Sequence, residues 1–331
     1  MPNNNYSPLR WGILGAGSIA NRFCSDVKAL PDHRLAAVGS RDKAKADTFA
    51  DKFAIQNRHD SYEALVADPE VDVIYVATPH PFHKEHSLLA LRAGKAVLCE
   101  KPFTINAGEA EVVVKEARDR GVFLMEGMWS RFFPALVKLR ELVAEGAIGE
   151  PRMLQCDFGF RSGVNPEGRL FKPELGGGGL MDVGVYTVSL ASMIFGEPNR
   201  STSLANLGST GVDEEAAMLL GYPKGGLAVL STAIRLNTAH EATLLGTDGS
   251  IKVPGAWWCP RKLTVKRAGK DEETFEFPFE GGGFQFEAQH VAECLRAGKT
   301  ESDVIPLDET LSIMRTLDGL RAQFGLKYPM E

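Results

Sequence analysis

This chain of 331 residues has few of the features that fix a class at a glance. Its five cysteines, at positions 24, 99, 156, 259 and 294, are odd in number, far apart and without a C-x-x-C pair. That pattern argues against a disulfide framework and for reduced thiols in a cytoplasmic protein. No run of five like charges occurs, and the formal net charge of −6 is spread over interspersed acids and bases. A basic patch for nucleic acid is thereby disfavoured. The opening "MPNNNYSPLRWG" has no basic region followed by an apolar one, and no stretch reaches the ~20 apolar residues of a membrane span. The expected partner is a small soluble molecule, with neither nucleic acid nor membrane involved.

What is present is a globular composition, 44% hydrophobic, at a length of about two domains, for which two domains around a cleft is the default picture. From residue 10 to about 127, short apolar runs ("RWGILG", "RLAAVGS", "VDVIYVAT", "AVLCE", "FLME") alternate with amphipathic segments. Such runs read as parallel strands covered on both faces, an α/β doubly wound domain over residues 1–127. Beyond 128 the strand-like segments follow one another directly, from "RMLQCDFGF" through "GLAVLSTAIRL" to "KLTVKRA", with "YPKGG" and "TDGS" as hairpin loops. The expectation for 128–331 is an α+β domain on a largely antiparallel, open-faced sheet, with helices at about 179–195, 284–297 and 307–324.

"WGILGAGSIA" sets Gly15, Gly17 and Ala20 in G-x-G-x-x-G/A spacing between a strand and a helix, the Rossmann dinucleotide fingerprint. Small residues there give a tight turn, close approach to a pyrophosphate and close helix packing. The second strand decides which dinucleotide. It ends in Ser40 and Arg41 where an NAD site would carry a carboxylate, while Asp42 falls two residues late and Asp32 precedes the strand. Small and cationic groups suit the 2′-phosphate of NADP, so NADP is expected over NAD.

Two strand ends carry polar chemistry. In "VATPHPFHKEH" the histidines at 80, 83 and 86 recur every third residue, but the prolines make a loop and no H-E-x-x-H supports a metal, so none is expected. His80 is the one expected to face the ligand. In "AVLCEKPFT", Lys101 leaves a buried strand just before Pro102, whose preceding bond can be cis. Between residues 176 and 190, "GGGGLMDVGVYTVSL" puts Asp182 and Tyr186 four residues apart, on one face of a helix that Ser189 and Met193 continue. Leu180, Val183, Thr187, Leu190 and Ile194 form a packing stripe, and the glycines are expected to let backbone approach nicotinamide and substrate.

"GILGAGSIA", "CEKP" and "DVGVY" together resemble the glucose-fructose oxidoreductase, inositol dehydrogenase and MocA family of nicotinamide enzymes. Within it, "MEGMWSRFFPAL", "GGGGLMDVGVYTVSLASMIFG", "WCP" and "VIPLDET" resemble the dihydrodiol dehydrogenase branch, which also oxidises D-xylose with NADP. The resemblance implies catalysis by Lys101, Asp182, Tyr186 and His80, and substrate contacts from Lys101, Trp129, Phe158, Asp182 and Tyr186. Its cofactor set is Gly15, Gly17, Ser18, Ile19, Ala20, Ser40, Arg41, Thr78, Pro79, Glu100, Lys101, Trp129 and Arg131. Pro79 and the segment "FGFRSGVNPEGRLFKPE" depart from the branch pattern, so chemistry is implied more firmly than substrate.

The implied reaction is hydride transfer from a CH–OH of a cyclic polyol, a trans-dihydrodiol or an aldose such as D-xylose, with Tyr186 and Lys101 moving the proton. The competing expectations are another sugar or inositol dehydrogenase, a keto-sugar reductase, or a non-catalytic NADP-binding regulator. A homodimer or higher homo-oligomer is expected through the open sheet face.

Overall fold

The computed structural model describes residues 7–331, so the first six residues of the opening stretch lie outside it. The chain divides into two compact units. The first holds residues up to Thr104, Gly108–Trp129 and Glu280–Leu307. Its strands are β1 (Leu9–Leu14), β2 (His33–Gly39), β3 (Asn57–His59), β4 (Val73–Val76), β5 (Ala96–Glu100) and β6 (Leu124–Gly127). All pair in parallel, in the order β3-β2-β1-β4-β5-β6. Every residue of β4, β5 and β6 is buried, which is why these runs are apolar without alternation. β3, "NRH", has no apolar run and so escapes a reading by hydrophobicity.

Helices α1 (Ser18–Val27), α2 (Lys43–Phe53), α3 (Tyr62–Val66), α4 (His83–Arg92) and α5 (Ala107–Arg120) connect these strands. The strand order reverses between β1 and β4, and ligands of such sheets bind outside the carboxyl ends at that point. Gly15 follows β1 there and Thr78 follows β4.

The second unit holds Ile105–Ala107, Ser130–Phe279 and Asp308–Glu331. It opens with α6 (Pro134–Ala144), started by a proline in its first turn. Its sheet comprises β7 (Pro151–Gly159), β8 (Arg200–Leu207), β9 (Asp213–Gly221), β10 (Leu227–Ala233), β11 (Ala242–Gly246), β12 (Gly249–Val253), β13 (Lys262–Arg267) and β14 (Glu273–Glu276). The order is β14-β13-β12-β11-β7-β10-β9-β8, antiparallel except for the parallel pair β7 and β10. Alternation on β9 and β10 buries Met218, Leu220, Ala228 and Leu230 and leaves Leu219, Leu227 and Val229 exposed. One face of these strands is core and the other is open, as expected.

Between β7 and β8 lies α7 (Val185–Phe195), buried along its whole length from Val185 to Ser192 rather than on one stripe. By length and composition alone the helical run from Pro173 to Phe195 could cross a membrane; with 83% of its window buried it is a core helix.

The boundary expected at 127/128 is corrected at the C-terminal end. The segment from Glu280 to Leu307, with α8 (Phe284–Arg296), belongs to the first unit, while α9 (Leu307–Gln323) belongs to the second from Asp308 on. Asp26 of α1 explains this: its carboxylate accepts from the backbone N–H groups of Gly282 (2.8 Å) and Phe284 (3.0 Å), capping α8. A pairing across more than 250 residues leaves no local signal.

Candidate active site

The glycine loop of the first unit has the geometry a pyrophosphate needs. Gly15 sits at φ +102°, a backbone that side chains disfavour, and a Cβ there would stand 3.2 Å from Thr78. Gly17 is different. A Cβ on it would meet only Ala77 O at 4.0 Å, so protein packing does not explain its missing side chain. Gly17 also precedes α1 without a side-chain cap, and Ser18 is exposed beside it. A helix start with open N–H groups and clear space in front fits a phosphate. Ala20 is fully buried in helix packing, and Ile19 is half-buried.

Both carboxylates near the second strand are engaged elsewhere. Asp42 caps α2 by accepting from Lys45 N–H at 3.2 Å, and Asp32 pairs with Arg296 at 2.8 Å. Ser40 is buried and accepts from Asp42 N–H at 3.2 Å, while the exposed Arg41 lies over the Phe82 ring, 5.8 Å from its centroid.

The loop after β4 is tied down by two of its histidines. His83 contacts the carbonyl oxygens of Thr78 (2.7 Å) and Pro102 (3.0 Å), joining the ends of β4 and β5. Burial pushes it down to about 4, against the raising effect of these two carbonyl contacts. His86 meets Thr78 Oγ1 at 2.9 Å and is likewise pushed down to about 4, by burial and by Arg41. The three-residue repeat thus braces a loop; His80 is buried at its start and Pro79 is exposed.

The Lys101–Pro102 bond is cis. Just before it, Glu100 is buried and accepts from Tyr75 O–H and, at 3.2 Å, from the Lys101 backbone N–H. Glu287 of α8 is buried nearby, its carboxyl raised well above the carboxylate range by burial and then by the charge of Glu100. Burial also raises Glu100. Trp129 stacks on Phe284 of α8, with centroids 4.5 Å apart and planes at 2°, and Arg22 lies over both rings. Glu287 and Phe284 were missed in the sequence because α8 was placed in the wrong unit.

In the second unit, the glycine run has another explanation than the one expected. A Cβ on Gly178 would stand 2.2 Å from Asp213 Oδ1, and one on Gly177 would stand 2.7 Å from Leu170 O. The glycines make room for protein. Asp213, fully buried, accepts from Leu180 N–H at 2.6 Å, Thr232 O–H donates to Gly179 O at 3.1 Å, and Tyr328 O–H donates to Gly177 O at 2.7 Å. Burial pushes the Asp213 carboxyl up to about 7, against the lowering effect of these N–H groups.

The turn so held, Leu180–Gly184, is π-helical before α7 begins at Val185. Such turns widen a helix locally and recur at functional sites. Asp182 and Tyr186 straddle the change, both buried. Asp182 Oδ1 accepts from Arg169 Nη2 at 2.8 Å. Tyr186 lies 5.5 Å from the Phe158 ring, which stacks on Trp258 at 3.5 Å; His240 packs edge-on against both.

Farther along α7 the polar face is closed. Arg131 donates to Ser189 Oγ (3.0 Å), Ser189 O (2.7 Å) and Glu309 (2.7 Å), and Arg140 reaches Met193 Sδ. Arg131, expected in the cofactor set, is 2% exposed, and its guanidinium ties α7 to α9.

With that geometry in hand, two family models match. One, described as an oxidoreductase family with an NAD-binding Rossmann fold, covers residues 9–128, and the GFO/IDH/MocA C-terminal domain covers 136–252. The chain belongs to the GFO/IDH/MocA oxidoreductase family. It is 42% identical to the trans-1,2-dihydrobenzene-1,2-diol dehydrogenase of Mus musculus, across 98% of this chain and 99% of that one. The Homo sapiens protein of the same name is 39% identical over the same shares.

Solved structures share the fold. An aldose-aldose oxidoreductase from Caulobacter crescentus, complexed with glycerol, superposes with a TM-score of 0.87 at 26% identity, covering 96% of this chain and 97% of that one. A 3-ketoreductase from Actinomadura kijaniata, in complex with NADP and TDP-benzene, gives 0.85 at 26%, covering 96% and 98%. In the second unit Arg169, Asp213, His240 and Trp258 surround the turn of Asp182 and Tyr186, and the sequence singles out none of them. "FGFRSGVNPEGRLFKPE" carries no helical or strand period, and "WCP" carries only the family resemblance.

Proposed function

We propose that this chain is an NADP-dependent oxidoreductase acting on the CH–OH group of a cyclic polyol, a trans-dihydrodiol or an aldose such as D-xylose. The observation that carries the reading is the π-to-α turn, which sets the Tyr186 phenol beside the stacked Phe158 and Trp258 rings and the Asp182 carboxylate on Arg169. A proton acceptor, a hydroxyl-orienting carboxylate and an aromatic wall suit a ring bearing adjacent hydroxyls. The names of the relatives support the same substrate class.

Gly15, Gly17, Ser18, Ile19 and Ala20 would hold the pyrophosphate, and Ser40 with Arg41 the 2′-phosphate, since Asp32 and Asp42 are committed to Arg296 and Lys45. Thr78, Pro79, Glu100 and Trp129 would flank the ring end. The bound nicotinamide would supply the hydride acceptor. Tyr186 takes the hydroxyl proton. Free tyrosine titrates near ~10, so the ammonium of Lys101 serves to bring the phenol toward neutral pH. Asp182 and His80 orient the hydroxyls; Phe158, Trp129 and Trp258 exclude water from the ring.

A homodimer through the open sheet face fits the exposure of Leu204 (77%) and Leu219 (54%), with Leu227 and Val229 beside them. A substrate panel of dihydrodiols, pentoses, hexoses and inositols, followed by NADPH absorbance, tests the function. Turnover of dihydrodiols or pentoses with NADP is expected. Turnover confined to inositols or keto sugars would reassign the substrate, and no turnover with any of them would make the chain a cofactor-binding regulator.

A further inference from the structure

α8 ends in a cluster that the reaction does not use. His290 and Cys294 stand one turn apart on this helix, Asp303 follows in the loop beyond it, and their donor atoms all lie within 4.8 Å of one another. Cys294 Sγ is 3.3 Å from His290 Nε2, and Asp303 Oδ1 is 3.8 Å from the same nitrogen. Around a tetrahedral Zn²⁺, with metal–donor distances of ~2.0–2.3 Å, neighbouring donors stand ~3.4–3.6 Å apart. The two separations bracket that spacing.

Hydrogen-bond accounting shows how the imidazole presents itself. Ser302 Oγ lies 2.7 Å from His290 Nε2 and accepts from the N–H groups of Val304 (3.0 Å) and Ile305 (3.2 Å). Its two lone pairs are taken, so its hydrogen points at Nε2, which must carry a lone pair. The Cys294 thiol approaches that nitrogen as well, so two donors converge on one lone pair. A cation would replace both donors, taking a lone pair from the nitrogen and one from the sulfur at once.

The carboxylate is oriented for the same point. Lys299 holds Asp303 Oδ2 at 3.1 Å, which turns Oδ1 toward the imidazole and keeps the carboxyl below its usual range. The Asp303 side chain is largely exposed while Cys294 is buried, so an ion can enter from the carboxylate side.

We propose that His290 Nε2, Cys294 Sγ and Asp303 Oδ1 bind one Zn²⁺ ion, with water as the fourth ligand, fastening the end of α8 to the loop that follows it. On binding, the Cys294 S–H proton leaves to solvent, and the Ser302 hydroxyl withdraws from the imidazole with its bonds from the Val304 and Ile305 N–H groups readjusting. A thiol must give up its proton to bind the ion as thiolate, so this release accompanies binding. His290 and Cys294 lie four residues apart on α8, and Asp303 joins them only through the return of the loop onto the helix; the expectation of no metal was drawn from His80, His83 and His86 alone. The helix so fastened is the one whose first turn carries Phe284, stacked on Trp129, and Glu287, beside Glu100.

The test uses the full chain, stripped of metal by a chelator and titrated with Co²⁺ and then Zn²⁺. One equivalent of Co²⁺ should give the visible bands of tetrahedral cobalt and a near-ultraviolet thiolate charge-transfer band, both removed by Zn²⁺. Cys294→Ser should lose the thiolate band, and His290→Gln, which keeps an acceptor for Ser302, should weaken binding by more than about 10-fold. Cys259→Ser, at the more exposed thiol, should change neither. A titration without a thiolate band, a band lost in Cys259→Ser, or unaltered affinity in His290→Gln would overturn the site. Because two chemically distinct variants are read, failure of one to fold still leaves a decisive result.

Discussion

The guanidinium of Arg169 stands 2.8 Å from Asp182 Oδ1, joining an exposed loop to the turn that carries the Asp182 and Tyr186 pair. The arginine is 45% exposed and the carboxylate 12%, so the pair is half solvated but its acidic member is the enclosed one. Removing the cation strands a mostly enclosed carboxylate, which then rotates or takes up a proton. Arg169→Ala should lower kcat/KM for the polyol by ~10-fold or more, a loss of about 1.4 kcal/mol, with cofactor Kd unchanged. Arg169→Lys, which keeps charge but loses the planar fork, should recover only part. Steady-state kinetics alongside cofactor titration checks this, and equal kinetics in wild type and Arg169→Ala would remove Arg169 from the site.

The proposed preference for NADP rests on Ser40 and Arg41. With Asp32 and Asp42 engaged elsewhere, no carboxylate is offered to a ribose hydroxyl at the end of β2. Ser40→Asp should move the NADP-to-NAD ratio of kcat/KM toward NAD by ~10-fold or more, through repulsion of the 2′-phosphate and a new bond to the hydroxyl. A ratio that does not move would show that the 2′-phosphate is read elsewhere.

Asp213 makes stability depend on pH. Its folded carboxyl is raised to about 7 from the ordinary value of 3.8, so between these values the folded chain holds a proton that the unfolded chain has released. Its contribution is therefore complete below about 4 and is lost as pH rises toward 7. Asp213→Asn retains an acceptor for Leu180 N–H without the charge. The melting temperature of this variant should gain on wild type by a few degrees, on the order of 2–4 °C per kcal/mol, between pH 5 and pH 8. Parallel melting curves across that range would contradict the assignment.

The two glycine-rich segments show how far a sequence carries and where it stops. Gly15, Gly17 and Ala20 were legible because strand, loop and helix are consecutive, and the required φ at Gly15 is a local property. The run from Gly176 to Gly179 looked like a cofactor contact, yet two of its glycines clear space for the Asp213 carboxylate and the Leu170 backbone. Those partners lie on β9 and in an upstream loop, and nothing at 176–179 announces them. Asp182 and Tyr186 were legible as a shared face by helical spacing, whereas the π turn beneath them is held by the bond from Leu180 N–H to the Asp213 carboxylate and that from Thr232 O–H to Gly179 O. Likewise β8, "RSTSLANL", gave no apolar period, because its outward face bears Leu204 while Ser203 points inward and donates to Leu320 O on α9.

The open sheet face gives its own test. Leu219 pairs with Val229 across β9 and β10 and with Thr202 across β9 and β8, in the middle of the exposed apolar band. Leu219→Lys should convert a homodimer into monomers, read by small-angle scattering or light scattering at matched concentration, with the melting curve little changed because the residue is exposed. A wild type that is already monomeric would contradict the interface.

The central claim is that Tyr186 moves the substrate proton. Tyr186→Phe keeps the ring against Phe158 and removes only the phenol oxygen, so packing is conserved. The decisive measurement is the turnover of this variant on the best substrate of the panel, alongside its NADPH dissociation constant. The account predicts turnover lower by ~10²-fold or more with cofactor affinity unchanged. Turnover equal to that of wild type would contradict it.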